Sequence, residues 1–151
     1  MTSLPQEPGG AGLPALRGER IEAVLRSQSW AYQVDSDGDV GGTWNGHTFY
    51  FFVTGEHNEI LHVQGRWKDS LPPERRPEVL AVIDAWHQDS YWPKAYTRLS
   101  ERGDIEVYAE HAVDWEFGVT DDQLFETMLC GVATSLRLFD HLAQRLGLVE
   151  D

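Results

Sequence analysis

The chain has 151 residues, of which 41 % are hydrophobic and 25 % charged, and its formal net charge is −13. These values are typical of one soluble globular domain and leave no room for two full-sized ones. The acidic surplus disfavours nucleic acid and anionic membrane surfaces as partners, because both are themselves negatively charged. No stretch approaches the ~20 apolar residues of a membrane-spanning helix. We therefore expect a domain that binds neither nucleic acid nor a membrane.

The N-terminal segment differs in composition from the rest of the chain. Residues 1–16 hold three prolines and three glycines, so we expect a disordered tail there and a single folded domain over residues 17–151. The segment lacks the basic and apolar regions of a secretion signal. Cys130, the only cysteine, lies in an apolar helical pattern that favours an inert buried thiol over a nucleophile. Both features predict a cytoplasmic location.

Hydrophobic periodicity predicts the elements of the first half of the chain. It indicates an amphipathic helix over residues 17–28, followed by strands over residues 30–34, 40–44, 47–54 and 60–68. Asn45-Gly46 predicts a tight hairpin, because a type I′ turn needs positive φ at both central residues. The strand over residues 47–54 is apolar or aromatic on both faces. That pattern predicts either a central place in the sheet or contact with a partner.

The second half is predicted to contain two helices and two strands. Prolines at positions 72 and 73 favour a helix start, and Pro93 ends that helix. Strands follow over residues 95–99 and 104–117, and a capping box at Thr120 opens a final helix that runs to about Leu146. Its length exceeds a typical helix, which favours packing against a second subunit. The order α-β-β-β-β-α-β-β-α predicts an α+β fold, with a mostly antiparallel sheet and helices on one face.

Two groups of side chains are candidates for binding. The strand over residues 104–117 alternates an apolar face with an acidic one, and the acids either meet a basic partner or cation or form a solvated edge. Aromatic residues cluster between the second helix and the next strand, where they either cap the core or stay exposed as a platform. Trp92-Pro93 in that cluster is a candidate cis peptide bond. With one aromatic residue of the preceding strand, the candidate binding residues are Trp67, Trp86, Tyr91, Trp92, Lys94, Tyr96, Glu106, Glu110 and Asp114.

The sequence meets no template for catalysis or for a metal site. It has no GxSxG, SxxK or HExxH motif and no phosphate-binding glycine loop. Asp35, Asp37 and Asp39 could be the ligands of a calcium-binding loop. An EF-hand loop that began at Asp35 would need glycine at position 40 and glutamate at position 46, where this chain has Val40 and Gly46. A turn is therefore favoured. The histidines have no zinc-site spacing. We expect no enzymatic activity, no cofactor and no bound metal.

Five short motifs follow one another along the chain: Trp44-Asn45-Gly46-His47, Asp84-x-Trp86, Trp92-Pro93-Lys94-Ala95-Tyr96, Gly103-Asp104 and Gly118-Val119-Thr120. In this order they resemble the YbjN family, closest to its actinobacterial branch, over about residues 17–146. The family often has asparagines where this chain has Asp84 and His87. The resemblance implies an α-β(3 or 4)-α-β(2)-α fold like that of type III secretion chaperones, a homodimer, and a regulatory or chaperone-like role without established catalytic residues.

Pattern and resemblance together predict a binding function. We expect a non-enzymatic domain, acting as a homodimer, that holds an extended segment of a partner protein against its sheet or a dimer groove. The alternative is a small-molecule or metal-sensing regulatory domain, a sensory transduction regulator. Such a sensor would use the histidines, His111 among them, together with the acidic face around Asp114.

Overall fold

The computed structural model describes residues 12–148, which form three α-helices and a six-stranded sheet. The first half contains α1 (Gly18–Ser27), β1 (Gln33–Val34), β2 (Val40–Trp44), β3 (His47–Thr54) and β4 (Ile60–Leu71). A 3-10 turn (Pro73–Arg75) then leads into α2 (Arg76–Asp89), β5 (Lys94–Leu99), β6 (Ile105–Asp114) and α3 (Asp121–Arg145). The predicted element order and the α+β class are confirmed.

The sheet is antiparallel throughout, with the strand order β1-β2-β3-β4-β6-β5. β3 has a paired strand on each side, which confirms the central position predicted from its two apolar faces. The hairpin between β2 and β3 turns at Asn45 and Gly46, whose φ angles are 53° and 84°, as a type I′ turn requires. The peptide bond between Trp92 and Pro93, just before β5, is cis.

One face of the sheet forms the core, and across residues 12–148 all three helices lie on that side. Phe49, Val63 and Val107 point into this core and are fully buried. α3 approaches β4 closely at Gly131, where a Cβ atom would lie 2.6 Å from the Cβ atom of Val63. α1 and α2 both contact α3. The described part of the chain therefore leaves the opposite face of the sheet open.

The strand predicted over residues 30–34 is shorter than expected. Only Gln33–Val34 pairs with β2. The Trp30 N–H instead donates to the Leu25 carbonyl at 2.9 Å, which closes the end of α1, and the Trp30 ring packs 6.0 Å from that of Trp44. Tertiary packing of the ring thus overrides the local strand pattern.

The strand predicted over residues 104–117 is also too long and ends at Asp114. The Trp115 N–H donates to the Glu59 carbonyl at 2.7 Å, and the Gly118 N–H donates to the Trp115 carbonyl at 2.9 Å, so the chain turns here. Phe117 is 62 % exposed and does not join the core face that the alternation predicted.

The predicted disordered tail falls mostly outside the described residues, which begin at residue 12. Its described part packs on the domain, because Leu16 is buried in the core and the Pro14 carbonyl accepts hydrogen bonds from the Val119 N–H and from Arg20 Nη1, both at 2.9 Å. Residues 14 and 16 therefore contact the domain that composition predicted to begin at residue 17.

The capping box that opens α3 is present. The Gln123 N–H donates to Thr120 Oγ1 at 3.0 Å, and the Thr120 N–H donates to Gln123 Oε1 at 2.9 Å. We expect Thr120→Ala to lower the free energy of unfolding by about 1 kcal/mol, whereas Thr120→Ser keeps the acceptor and should cost much less. Urea denaturation of both variants measures the difference, and equal stabilities would contradict it.

β4 carries a bulge between Arg66 and Ser70. Residues 67–69 lie there opposite a single residue of β6, Val107. A bulge of this kind bends its strand and leaves backbone groups without partners in the ladder. The bulge therefore needs hydrogen bonds from outside the two strands.

A buried histidine supplies one of them. His47 Nδ1 accepts a hydrogen bond from the Lys68 N–H at 2.9 Å, and its ring centroid lies 4.6 Å from that of Phe139. Burial first, and then the charge of Lys68, lower the pKa of His47 from its ordinary 6.5, against smaller opposing effects of Asp140 and Asp69. The neutral ring is therefore the form that the folded chain favours.

We expect acid to weaken the fold partly through this residue. Because the pKa of His47 is lower in the folded than in the unfolded chain, the unfolded state takes up the proton first, and the free energy of unfolding falls as the pH drops below about 6.5. His47→Gln retains an oxygen that can accept the Lys68 N–H and does not titrate. Urea midpoints at about pH 7.5 and about pH 5 should therefore shift less in this variant than in the wild type, and an identical shift would contradict the assignment.

Candidate protein-binding surfaces

The uncovered side of the sheet is a partly exposed surface made by alternate residues of four strands. β3 contributes aromatic side chains, and β4, β6 and β5 contribute mainly polar and charged ones. We call this surface the open face. Its principal residues are Tyr50, Phe52, His62, Gln64, Arg66, Lys94, Tyr96, Arg98, Glu106, Tyr108, Glu110 and Asp114.

Basic side chains of β4 lie next to two of the acids on β6. His62 Nδ1 and Glu110 Oε1 are 2.6 Å apart, and Arg66 Nη1 lies 3.3 Å from Glu106 Oε2. β6 lies between β4 and β5, so its acidic face is not the solvated edge that was one alternative. Cross-strand pairing with bases, rather than solvation at an edge, relieves the repulsion between these acids.

Two stacked aromatic pairs lie on either side of this polar centre. The Tyr50 and Phe52 rings are 5.3 Å apart with an interplanar angle of 11°, and the Tyr96 and Tyr108 rings are 5.6 Å apart at 9°. The Arg98 guanidinium lies 5.1 Å from the Tyr108 ring and 5.5 Å from the Tyr96 ring. Aromatic and arginine side chains in this arrangement are typical of the energetic centres of protein interfaces.

A gap in the sheet lies at one end of the open face. β5 begins at Lys94, opposite Glu110, so residues 111–114 of β6 have no strand beside them on that side within the described part of the chain. Tyr91 and Trp92 border the gap and are 94 % and 51 % exposed. We call this gap the edge notch.

The direction of the free backbone groups in the edge notch follows from one hydrogen bond. The Ala95 N–H donates to His87 Nε2 at 2.9 Å, so Ala95 points away from β6. Backbone groups of an antiparallel strand alternate in direction, and Glu110, paired with Lys94, therefore points towards β5. By the same alternation, Ala112 and Asp114 direct their N–H and C=O groups into the edge notch.

The structure distributes the predicted binding residues over four places. Tyr91, Trp92 and Lys94 border the edge notch, and Tyr96, Glu106, Glu110 and Asp114 lie on the open face. Trp86 is half-buried on the helix side of the corner, where its ring lies 5.6 Å from that of His141. Trp67 is a correction, because it is 1 % exposed in the core and offers no surface to a partner.

Sequence reasoning missed most of the bases and aromatic residues that complete the open face. Tyr50 and Phe52 were visible as the second apolar face of β3, but Arg66, Arg98 and Tyr108 gave no signal of their own. Their role arises from strand pairing, which places Arg66 beside Tyr108 and Arg98 beside Glu106.

The candidate cation ligands do not form a convincing site. Asp35, Asp37 and Asp39 bring carboxylate oxygens within 4.8 Å of one another and are the one such cluster in residues 12–148. Asp35 Oδ1 accepts the N–H groups of Asp37 and Asp39, both at 2.9 Å, as expected of the predicted turn. His111 is buried on the core face, whereas Asp114 is exposed on the open face, so these two side chains lie on opposite sides of the sheet.

The reactivity of Cys130 is also low. The thiol is half-buried in α3, and burial raises its pKa against a smaller lowering effect of Arg137. A raised pKa leaves little thiolate at neutral pH, which agrees with the structural role predicted from its apolar surroundings. None of the helices described between residues 12 and 148 combines the length and apolar character needed to cross a membrane.

Solved structures of other proteins are similar to this chain at low sequence identity. The crystal structure of YbjN, "a putative transcription regulator from E. coli", superposes with a TM-score of 0.61 at 12 % identity over 90 % of this chain and 92 % of that one. An uncharacterized protein from Methanothermobacter thermautotrophicus gives a TM-score of 0.54 at 11 % identity, over 86 % and 99 % of the two chains. A HopA1–SchA chaperone–effector complex gives a TM-score of 0.48 at 16 % identity, over 79 % and 88 %.

A family model gives the stronger result. No curated protein matches the chain. The model of the YbjN family, described as "Putative bacterial sensory transduction regulator", matches residues 17–144, which include every strand and almost all of α3. The order of elements and the motifs before β3 and β5 agree with that match, and the chain belongs to the YbjN family.

Proposed function

We propose that this chain is a non-enzymatic regulatory or chaperone-like domain that binds an extended segment of a partner protein in the edge notch. In this proposal it acts as a homodimer in the cytoplasm and belongs to the actinobacterial branch of its family, a placement that the order of its motifs supports. The single cysteine is compatible with a reducing compartment. The observation that carries the proposal is the end of β6, residues 111–114, which has no strand on its β5 side among residues 12–148 and lies beside two exposed aromatic side chains.

The edge notch has the parts that strand addition needs. Free N–H and C=O groups of Ala112 and Asp114 provide hydrogen bonds that do not depend on the partner's sequence. Tyr91 and Trp92 provide apolar contact beside them, and Lys94 and Asp114 provide charges of both signs at its borders. A short extended segment can therefore continue the line of β5 along β6.

Site-specific photocrosslinking in the native cells tests this proposal. Tyr91 is replaced by p-benzoylphenylalanine, and the control carries the same group at Leu80, an exposed position on α2, on the helix side of the sheet. We expect covalent adducts with a discrete partner from position 91 and none from position 80. Equal adducts from both positions would overturn the proposal.

A backbone variant sharpens the test. Ala112→Pro removes the N–H that points into the edge notch without removing a bond to β4, and we expect it to abolish the adduct from position 91. Thr97→Pro, which alters an outward N–H on the free side of β5, should leave the adduct intact. Thermal melting of both variants confirms folding, and a persistent adduct in folded Ala112→Pro protein would contradict strand addition.

A further inference from the structure

We propose that the open face is the surface through which two copies of this chain meet. The proposal rests on the homodimer named under the proposed function and assigns the interface that the sequence left open. Arg66, Lys94 and Arg98 supply three positive charges to the open face, and Glu106, Glu110 and Asp114 supply three negative ones. The open face thus has no net charge.

The balance of charges on the open face is important because the whole chain has a formal net charge of −13. The acidic surplus lies outside the open face, so a contact between two copies through the open face brings no net like charge together. Its stacked aromatic pairs and the Arg98 guanidinium also provide the residue types that are enriched where proteins associate.

The strand register allows the open face to match itself. A twofold axis that runs parallel to the strands between β4 and β6 sets β3 of one copy against β5 of the other, and β4 against β6. Tyr50, Gln64, Glu110 and Lys94 occupy one row across the strands. Tyr50 therefore meets the partner's Lys94, and Gln64 meets the partner's Glu110.

The next row of residues across the strands also matches itself under the twofold axis. Arg66 and Tyr108 are neighbours in register, so the twofold axis sets Arg66 over the partner's Tyr108. Both Tyr50–Lys94 and Arg66–Tyr108 are contacts between a cation and an aromatic ring, which gain strength when water is excluded. Neither row sets two like charges opposite each other. Two sheets packed in this way lie about 10 Å apart, within reach of these long side chains.

Disulfide trapping between copies tests the arrangement. Full-length chains carrying Tyr50→Cys or Lys94→Cys, both in a Cys130→Ala background, are mixed and oxidised. Residues 50 and 94 lie three strands apart within one chain, about 14 Å, so a bond between them can form only between copies. We expect a covalent dimer from the mixture, and none when Leu80→Cys, an exposed position on α2, replaces Lys94→Cys.

Light scattering on the wild type and two charge variants separates the possible failures. We expect Tyr108→Glu to raise the dimer dissociation constant at least about tenfold, and Tyr91→Glu, in the edge notch, to change it less than about twofold. Circular dichroism confirms that each variant is folded. If the wild type is a dimer but the 50–94 crosslink does not form and Tyr108→Glu does not weaken the dimer, the open face is not the interface. The proposed homodimer itself would then be supported. A monomer at tens of micromolar would overturn both, and the edge notch would still be tested by its own crosslink.

Discussion

Replacing Trp67 by alanine is expected to lower the free energy of unfolding by about 3–5 kcal/mol, the largest effect of any substitution considered. The side chain is 1 % exposed and lies in the core at the bulge of β4, so its removal leaves a cavity that the bent strand cannot fill. Since a domain of this size is stable by only about 5–15 kcal/mol, a large part of that margin disappears.

Urea denaturation followed by circular dichroism measures the loss. Tyr91→Ala is the matched control, because Tyr91 is 94 % exposed and its truncation should change stability by less than about 0.5 kcal/mol. A Trp67→Ala protein as stable as the wild type would contradict a core role for this side chain.

Gly131→Ala is expected to destabilise the chain by about 2 kcal/mol, although alanine is the better helix former by about 1 kcal/mol. The new Cβ atom would lie 2.6 Å from Val63 Cβ and 2.7 Å from Val63 Cγ1. Val63 Cβ is fixed to the backbone of β4, so no change of rotamer relieves the overlap. α3 must therefore move away from the sheet and lose packing on β4 and β6.

Gly18→Ala is the control for this prediction. Gly18 opens α1, and a Cβ atom there would meet no atom within 4 Å, so only the gain in helix propensity remains. We expect a variant of unchanged or slightly higher stability. Thermal denaturation of both proteins measures the difference in stability between them. A Gly131→Ala protein at least as stable as the wild type would contradict the close packing of α3 on β4.

The candidate surfaces were only partly predictable. Tyr91, Trp92 and Lys94 were recognised from the aromatic corner before β5, because they cluster within a few residues of one another. Arg66 was not, because it lies far along the chain from Glu106, the acid it faces. Arg98 is close in sequence to Glu106, but which side chains face each other across that hairpin depends on its register. A single sequence does not reveal which side chains become neighbours in the sheet, because the register between β4, β6 and β5 is set by how whole strands pack.

The sequence by itself determined those helices, strands and turns whose stabilising interactions join residues only a few positions apart. The Asn45-Gly46 hairpin, the Thr120 capping box and the alternation of β6 all act through hydrogen bonds or side chains at most one or two turns apart. Only the tertiary structure decided the place of β6 between β4 and β5, the end of β6 at Asp114, and the burial of Trp67. Those outcomes depend on contacts between distant segments, whose free energy exists only once the sheet and helices have assembled.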